Sequence, residues 1–174
     1  TSWHTANGNM NIPRRLSSLA IYQATDGSYE LLAGADGNDL FQITSNEQEW
    51  SNRGSNVGGI IALSPDYSSD RTIFAASWNE YSVHKSTDGG ISWLRIDNGL
   101  PFTGWWDMAM SPDYTVDRTL FIGGNNGIYK STNAGTSWIP SRQGLTDSAI
   151  NEIEISPDYA IDKTLFAGGN NRGV

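Results

Sequence analysis

One segment of sixteen residues occurs three times in this chain, and no other feature restricts the fold so strongly. The copies are "ALSPDYSSDRTIFAAS" (62–77), "AMSPDYTVDRTLFIGG" (109–124) and "EISPDYAIDKTLFAGG" (154–169), and their serines, Ser64, Ser111 and Ser156, lie 47 and 45 residues apart. The first two copies continue through "YSVHKSTDGGISW" (81–93) and "GIYKSTNAGTSW" (127–138). A worn copy precedes them: "SLAIYQATDGSYELLAGADGNDLFQITSNEQEW" (18–50) keeps the strand rhythm and Trp50 but lacks SPDY and the glycine turn. "TSW" at 1–3 matches "TSW" at 136–138, so Trp3, Trp50, Trp93 and Trp138 stand in register at intervals of 47, 43 and 45 residues.

Each unit reads as four short strands. In the second unit "IIALS" (60–64) is apolar, and Pro65-Asp66 makes a turn after it. "TIFAAS" (72–77) is β-branched and aromatic, as a buried strand should be; "YSVHKS" (81–86) alternates, and "SWLRI" (92–96) follows the glycine turn. Four antiparallel strands every ~40–50 residues is the period of a β-propeller blade. A barrel or sandwich also needs many short strands, but neither demands self-similarity at this interval. The expected fold is therefore all-β, with about 3.5 to 4 blades in the chain. Residues 1–10 are expected to hold the last strand of a preceding or closing blade, 18–54, 60–98 and 106–143 one blade each, and 150–174 a partial blade. A segment of this kind is expected to be an excerpt of a larger propeller, with the rest of that propeller or a second copy closing the ring.

Composition narrows the functional classes. With 11 Lys plus Arg against 19 Asp plus Glu, the formal charge is −8, which disfavours a grip on nucleic acid or anionic lipid. Nothing in the chain is apolar over a length that spans a bilayer, so direct membrane insertion is not expected. The absence of cysteine removes disulfides, thiol nucleophiles and thiolate metal sites.

The turn Ser86-x-Asp88-x-Gly90-x-x-Trp93 recurs as Ser131-x-Asn133-x-Gly135-x-x-Trp138. Glycines supply the positive φ that a tight hairpin needs, and Asp or Asn can accept backbone N–H groups to fix the loop. Asn does this without a charge, a swap poorly tolerated in a metal ligand or general acid. These eight residues, with their SPDY partners, are therefore expected to be structural. The pattern resembles the Asp-box, or BNR repeat, of sialidase-like, sortilin-like, xyloglucanase-like and photosystem II assembly-factor-like propellers. In wider style the chain is similar to bacterial BNR-like repeat proteins. The resemblance implies a propeller whose Asp-box hairpins lie at the blade periphery. It is specific for fold and carries little about function.

The pairs Asp66/Asp70, Asp113/Asp117 and Asp158/Asp162 invite a metal reading, but each has an adjacent cation and recurs in every full copy. Turn formation, with the second aspartate capping the next strand, is the preferred explanation. No metal, no cofactor and no catalytic residue is expected. His4 and His84 fall at unrelated repeat positions, and "NIPRRL" (11–16) only faintly echoes the sialidase Arg-Ile-Pro segment, with its residues in another order.

Function is expected where the copies differ. Counting back from the serine, the fourth position is Ile60, Asp107 or Glu152, and the fifth is Gly59, Trp106 or Asn151. Trp105 and Trp106 beside Asp107 suit a sugar ring or a peptide; alternatively one tryptophan packs between blades and the other caps a loop. Trp78 with Asn79, Glu80 and Tyr81 forms a second patch. The expected role is non-catalytic: rigid presentation of loops to a protein or glycan partner, in a secreted or cell-surface bacterial protein. Two alternatives remain open. One is part of a glycoside hydrolase completed by blades elsewhere; the other is an assembly factor docking on a membrane complex.

Overall fold

The computed structural model describes residues 15–35, 38–47, 49–145 and 148–169. The strand expected within residues 1–10, His4, and residues 170–174 lie outside the described residues. The chain forms successive antiparallel sheets. The first holds β1 (Leu16–Gln23), β2 (Tyr29–Ala35), β3 (Asp39–Thr44) and β4 (Ser51–Gly54). The second holds β5 (Ile60–Leu63), β6 (Ile73–Ala76), β7 (Val83–Ser86) and β8 (Leu94–Arg95). The third holds β9 (Trp105–Met110), β10 (Leu120–Gly124), β11 (Gly127–Ser131) and β12 (Ile139–Pro140). A fourth sheet contributes β13 (Ile150–Ile155) and β14 (Leu165–Gly169). Strands within each sheet follow chain order, and the first strands pack side by side, β1 against β5, β5 against β9 and β9 against β13. This is a β-propeller, with three four-stranded blades and two strands of a fourth described.

Burial explains the strand sequences. A blade's second strand has a neighbouring sheet on both faces, so every residue of β6 and of β10 is buried, and both read as unbroken apolar or glycine runs. The blades meet through three apolar clusters. The first joins Leu32 and Leu40 to Tyr67 and Ile73, the second Phe74 and Ile96 to Trp105, Tyr114 and Trp138, and the third Phe121 and Ile128 to Ile153 and Tyr159. One contact recurs almost unchanged. Phe74 meets Tyr114 edge-on at 5.7 Å, and Phe121 meets Tyr159 at the same 5.7 Å. Between the first two blades Tyr22 meets Tyr67 at 5.5 Å instead.

The SPDY tyrosines open one-turn helices, α1 (Tyr67–Asp70), α2 (Tyr114–Asp117) and α3 (Tyr159–Asp162). In the first, Ser64 Oγ donates to Asp70 Oδ2 at 2.7 Å, while Asp70 Oδ1 accepts the Thr72 N–H at 2.9 Å. Asp117 does the same with Ser111 and Thr119, both at 2.8 Å, and Asp162 with Ser156 at 2.6 Å and Thr164 at 2.8 Å. The second aspartate thus fastens the turn to the next strand. Its neighbouring cation covers the tyrosine ring: Arg71 over Tyr67 at 4.3 Å, Arg118 over Tyr114 at 5.6 Å, Lys163 over Tyr159 at 5.1 Å.

The first blade boundary carries an addition of its own. Glu30 on β2 is buried and accepts hydrogen bonds from Tyr67 Oη and Gln42 Nε2. Arg71 grips the same carboxylate in a fork, Nη1 to Oε2 at 2.8 Å and Nη2 to Oε1 at 3.1 Å. Burial, and then the bond to Glu30, push the Tyr67 phenol above its ordinary value.

The glycine turns join blades at the outer edge. Asp88 Oδ1 accepts the N–H groups of Ile91 at 3.0 Å and Ser92 at 2.9 Å, and Ser86 Oγ–H at 2.7 Å. Gly90 and Gly135 take φ of 89° and 84° at the hairpin. Trp93 Nε1 then donates to the Arg53 carbonyl of the preceding blade at 2.8 Å, and Trp138 Nε1 to that of Ile96 at 2.7 Å. Asn133 keeps the frame with one bond reversed. Its Oδ1 accepts Ser137 N–H at 3.0 Å, but its Nδ2 donates to Ser137 Oγ at 2.8 Å, where Asp88 accepts from Ser92 Oγ.

Candidate partner-binding face

The loops that enter each first strand share one end of the propeller with the loops that leave each second strand. The structure separates the residues expected to form a single anchor there. Gly124 pairs with Trp105 and Gly123 with Asp107, so Trp106 is the extra residue of a β-bulge. The same register shift leaves Ser17 extra in β1 and Asn151 extra in β13. The bulge breaks the two-residue alternation, and residues two apart no longer share a face.

Trp105 is fully buried, at 0% exposure, between the second and third blades and edge-on to Tyr129 at 5.8 Å. It packs between blades rather than forming a platform for a ligand, the alternative that the sequence left open for one of the two tryptophans. Asp107 turns the opposite way. Its Oδ2 accepts the Ile153 N–H of β13 at 2.6 Å, and its Oδ1 accepts the Met108 N–H at 2.8 Å. Asp107 therefore staples the first strand of one blade to that of the next. Desolvation pushes its pKa above the ordinary carboxylate value, against those two backbone bonds, and the Glu152 and Glu154 charges push the same way. Trp106 remains half-buried, with its indole N–H buried and making no hydrogen bond among the described residues. On β13, Asn151 lies at the bulge and Glu152 is exposed, next to the Ile153 N–H that Asp107 holds.

The second patch is the more open one. Trp78 is 56% exposed, in the loop after β6. Its ring lies on Gly104, where a Cβ would come within 2.6 Å of the indole Cδ1; any larger residue there would displace the tryptophan. Tyr81, at φ 52°, packs edge-on against Phe102 at 4.4 Å, and Phe102 is 79% exposed. The loop is held from beneath, since Ser77 Oγ–H donates to Asn38 Oδ1 at 2.6 Å and Ser77 Oγ accepts the Glu80 N–H at 2.8 Å. Beside Trp78 opens a cavity of about 170 Å³, lined by Ser17, Asn38, Gly59, Ile60, Ala76 and Asn79. Phe102 was not among the residues singled out from sequence. The signal was present, because the copy that follows carries Asp147 forty-five residues on.

His84 serves the frame: its Nδ1 meets the Val57 carbonyl at 2.9 Å, and burial lowers its pKa. No group of three or more His, Asp or Glu side chains that could hold a metal occurs among the described residues. No described helix is long and apolar enough to cross a membrane. This end of the propeller offers two large exposed aromatic surfaces, Trp78 and Phe102, and a small cavity beside Trp78.

No protein-family model matches the chain, and no curated protein matches it. Solved structures do. An ancestral GH74 enzyme aligns with TM-score 0.64 and 20% identity over 83% of this chain and 21% of its own. The GH74 enzyme of Niastella koreensis aligns with TM-score 0.61 and 22% identity over 88% and 26%. YCF48 bound to D1 peptide aligns with TM-score 0.57 and 14% identity over 84% and 46%, and YCF48 from Cyanidioschyzon merolae gives a similar result. The chain thus spans about a fifth to a quarter of the GH74 enzymes and under half of YCF48. At these identities the likeness establishes one thing about the chain, its β-propeller fold.

Proposed function

We propose that the chain is a non-catalytic binding propeller, and that the face carrying Trp78, Tyr81 and Phe102 receives a peptide segment of a protein partner. The observation that carries this reading is the exposure of Trp78 and Phe102, at 56% and 79%, on a loop frame held rigid from below. Exposed aromatics on preorganised loops are anchors of the kind that dominate interface energetics. The cavity of about 170 Å³ beside Trp78 has room for one apolar side chain of such a segment. YCF48 bound to D1 peptide is among the structural neighbours, which supports the choice of a peptide over a glycan.

The test is a paired peptide and glycan array probed with the 174-residue chain and with its Trp78→Ala and Phe102→Ala variants. Peptide hits that lose about tenfold or more in affinity with either variant are expected. Because Trp78 is exposed, its variant should unfold within about 0.5 kcal/mol of the parent. Binding to glycans alone, or peptide binding indifferent to both variants, would refute the reading. A second reading, a segment of a glycoside hydrolase, is favoured by the likeness to the two GH74 enzymes. Oligosaccharide hydrolysis by the chain would move the conclusion there.

A further inference from the structure

The cavity of about 170 Å³ beside Trp78 is one-sided in its hydrogen bonding. No charged side chain among the described residues lines it, and backbone carbonyls around it are already engaged. The Gly59 carbonyl accepts Ser17 Oγ–H at 2.8 Å and Ser18 Oγ–H at 2.6 Å. That of Ala35 accepts the Asn38 N–H at 3.0 Å, and that of Asn38 accepts the N–H groups of Val57 and Gly58 at 3.0 and 3.1 Å. Asn38 itself is 6% exposed and lines the cavity. Ser77 Oγ–H occupies its Oδ1 at 2.6 Å, which fixes the amide, and its Nδ2 donates to nothing among the described residues. The buried polar group left without a partner is therefore a donor.

The occupant that suits this site brings an acceptor, an apolar body and no N–H at that depth. Most peptide segments bring one N–H for every C=O. Proline is the exception, because its ring replaces the N–H, and in the polyproline II conformation its carbonyls have no internal partner. The remaining walls, Ile60, Ala76 and the Trp78 ring, are apolar surfaces for such a ring, and Asn79 adds a second amide at an exposed position. Strand addition is not on offer at Ala35 and Ala76, since β2 and β6 each pair with a strand on both sides.

We propose that the partner segment is proline-rich and binds in the polyproline II conformation. One proline enters the cavity against Trp78, and main-chain carbonyls beside it accept from the Asn38 and Asn79 amides. The Tyr81–Phe102 pair, edge-on at 4.4 Å, is a second aromatic surface for a further proline. Such a segment is already extended when free, so little conformational entropy is lost on docking. The inference rests on the reading of this face as a peptide site and names the class of peptide.

Fluorescein-labelled decaproline and a Gly-Ser decamer, each titrated with the 174-residue chain and followed by anisotropy, test this. Decaproline should saturate below about 1 mM while the Gly-Ser decamer does not. Trp78→Ala should weaken decaproline about tenfold or more. Asn38→Asp keeps the acceptor for Ser77 and turns the donor into an acceptor, so a loss of about fivefold or more is expected. Asn79→Asp repeats the exchange at an exposed position, where folding is not at stake, and should also weaken binding. No saturation by decaproline, equal binding of the Gly-Ser decamer, or unchanged affinity in both asparagine variants would overturn the inference. Array peptides that need Trp78 but contain no proline would overturn it and leave the peptide reading standing, whereas an array without peptide hits would remove both.

Discussion

Trp138 and Trp78 are the same side chain under opposite demands. Trp138 has 3% of its surface exposed, satisfies its indole N–H on the preceding blade and has a repeat partner in Trp93. Trp78 is 56% exposed, rests on a glycine and stands where the other copies have Asn125 and Asn170. Repetition marks the residue that every blade junction requires. Trp78 departs from the repeat and stays in solvent, unlike the equally divergent but buried Trp105, so its exposure needs another explanation.

The comparison breaks if Trp138 proves dispensable. Trp138→Ala removes a buried indole and leaves the Ile96 carbonyl unpaired, so a loss of about 3–5 kcal/mol is expected in urea unfolding. A loss no larger than that of Trp78→Ala would erase the distinction. Next comes Glu30→Ala, which strips Tyr67, Gln42 and Arg71 of their shared acceptor. Because Arg71 is 38% exposed and can turn to water, the loss should be about 2–3 kcal/mol. Unfolding midpoints read by two probes, one in the first blade and one in the third, would show whether that loss stays at the first junction.

His84 sharpens the comparison by pH. Burial lowers its folded pKa below 6.5, so the unfolded chain binds the proton more readily. Its stabilising contribution is present above about pH 6.5 and is lost as pH falls from there toward the folded pKa. His84→Gln should flatten that part of the stability profile; an unchanged slope would show that the burial of His84 does not govern it. The smallest effect is expected for Asp88→Asn. Hydrogen bonds from Ser92 and Ser86 lower the Asp88 pKa to about 2 from 3.8, so its contribution holds above about pH 4 and fades toward pH 2. Since Asn133 already builds the same turn, the variant should match the parent at neutral pH and lose only the acid-dependent step. A large loss at neutral pH would mean that the charge itself matters.

The blade pattern was legible because each copy carries it within a few neighbouring residues. Pro65-Asp66, the Gly89-Gly90 turn and the apolar run of β6 are local signals, and three copies average out their noise. The anchor at Trp105, Trp106 and Asp107 was not legible, and the bulge is the reason. An unbroken strand would put Trp105 and Asp107 on one face and Trp106 on the other. The extra residue at Trp106 instead sends Trp105 toward the second blade and Asp107 toward the fourth.

By itself, then, the sequence determined the repeat, the four-strand unit, the hairpin turns and the places where copies diverge, since each rests on chemistry between near neighbours. Tertiary structure alone decided which divergent side chains face solvent. That choice depends on the next blade's strand, on a bulge set by cross-strand pairing, and on contacts such as Trp78 on Gly104, some twenty-six residues away in the chain. Burial is a property of pairs of blades, and no single copy of the repeat encodes it.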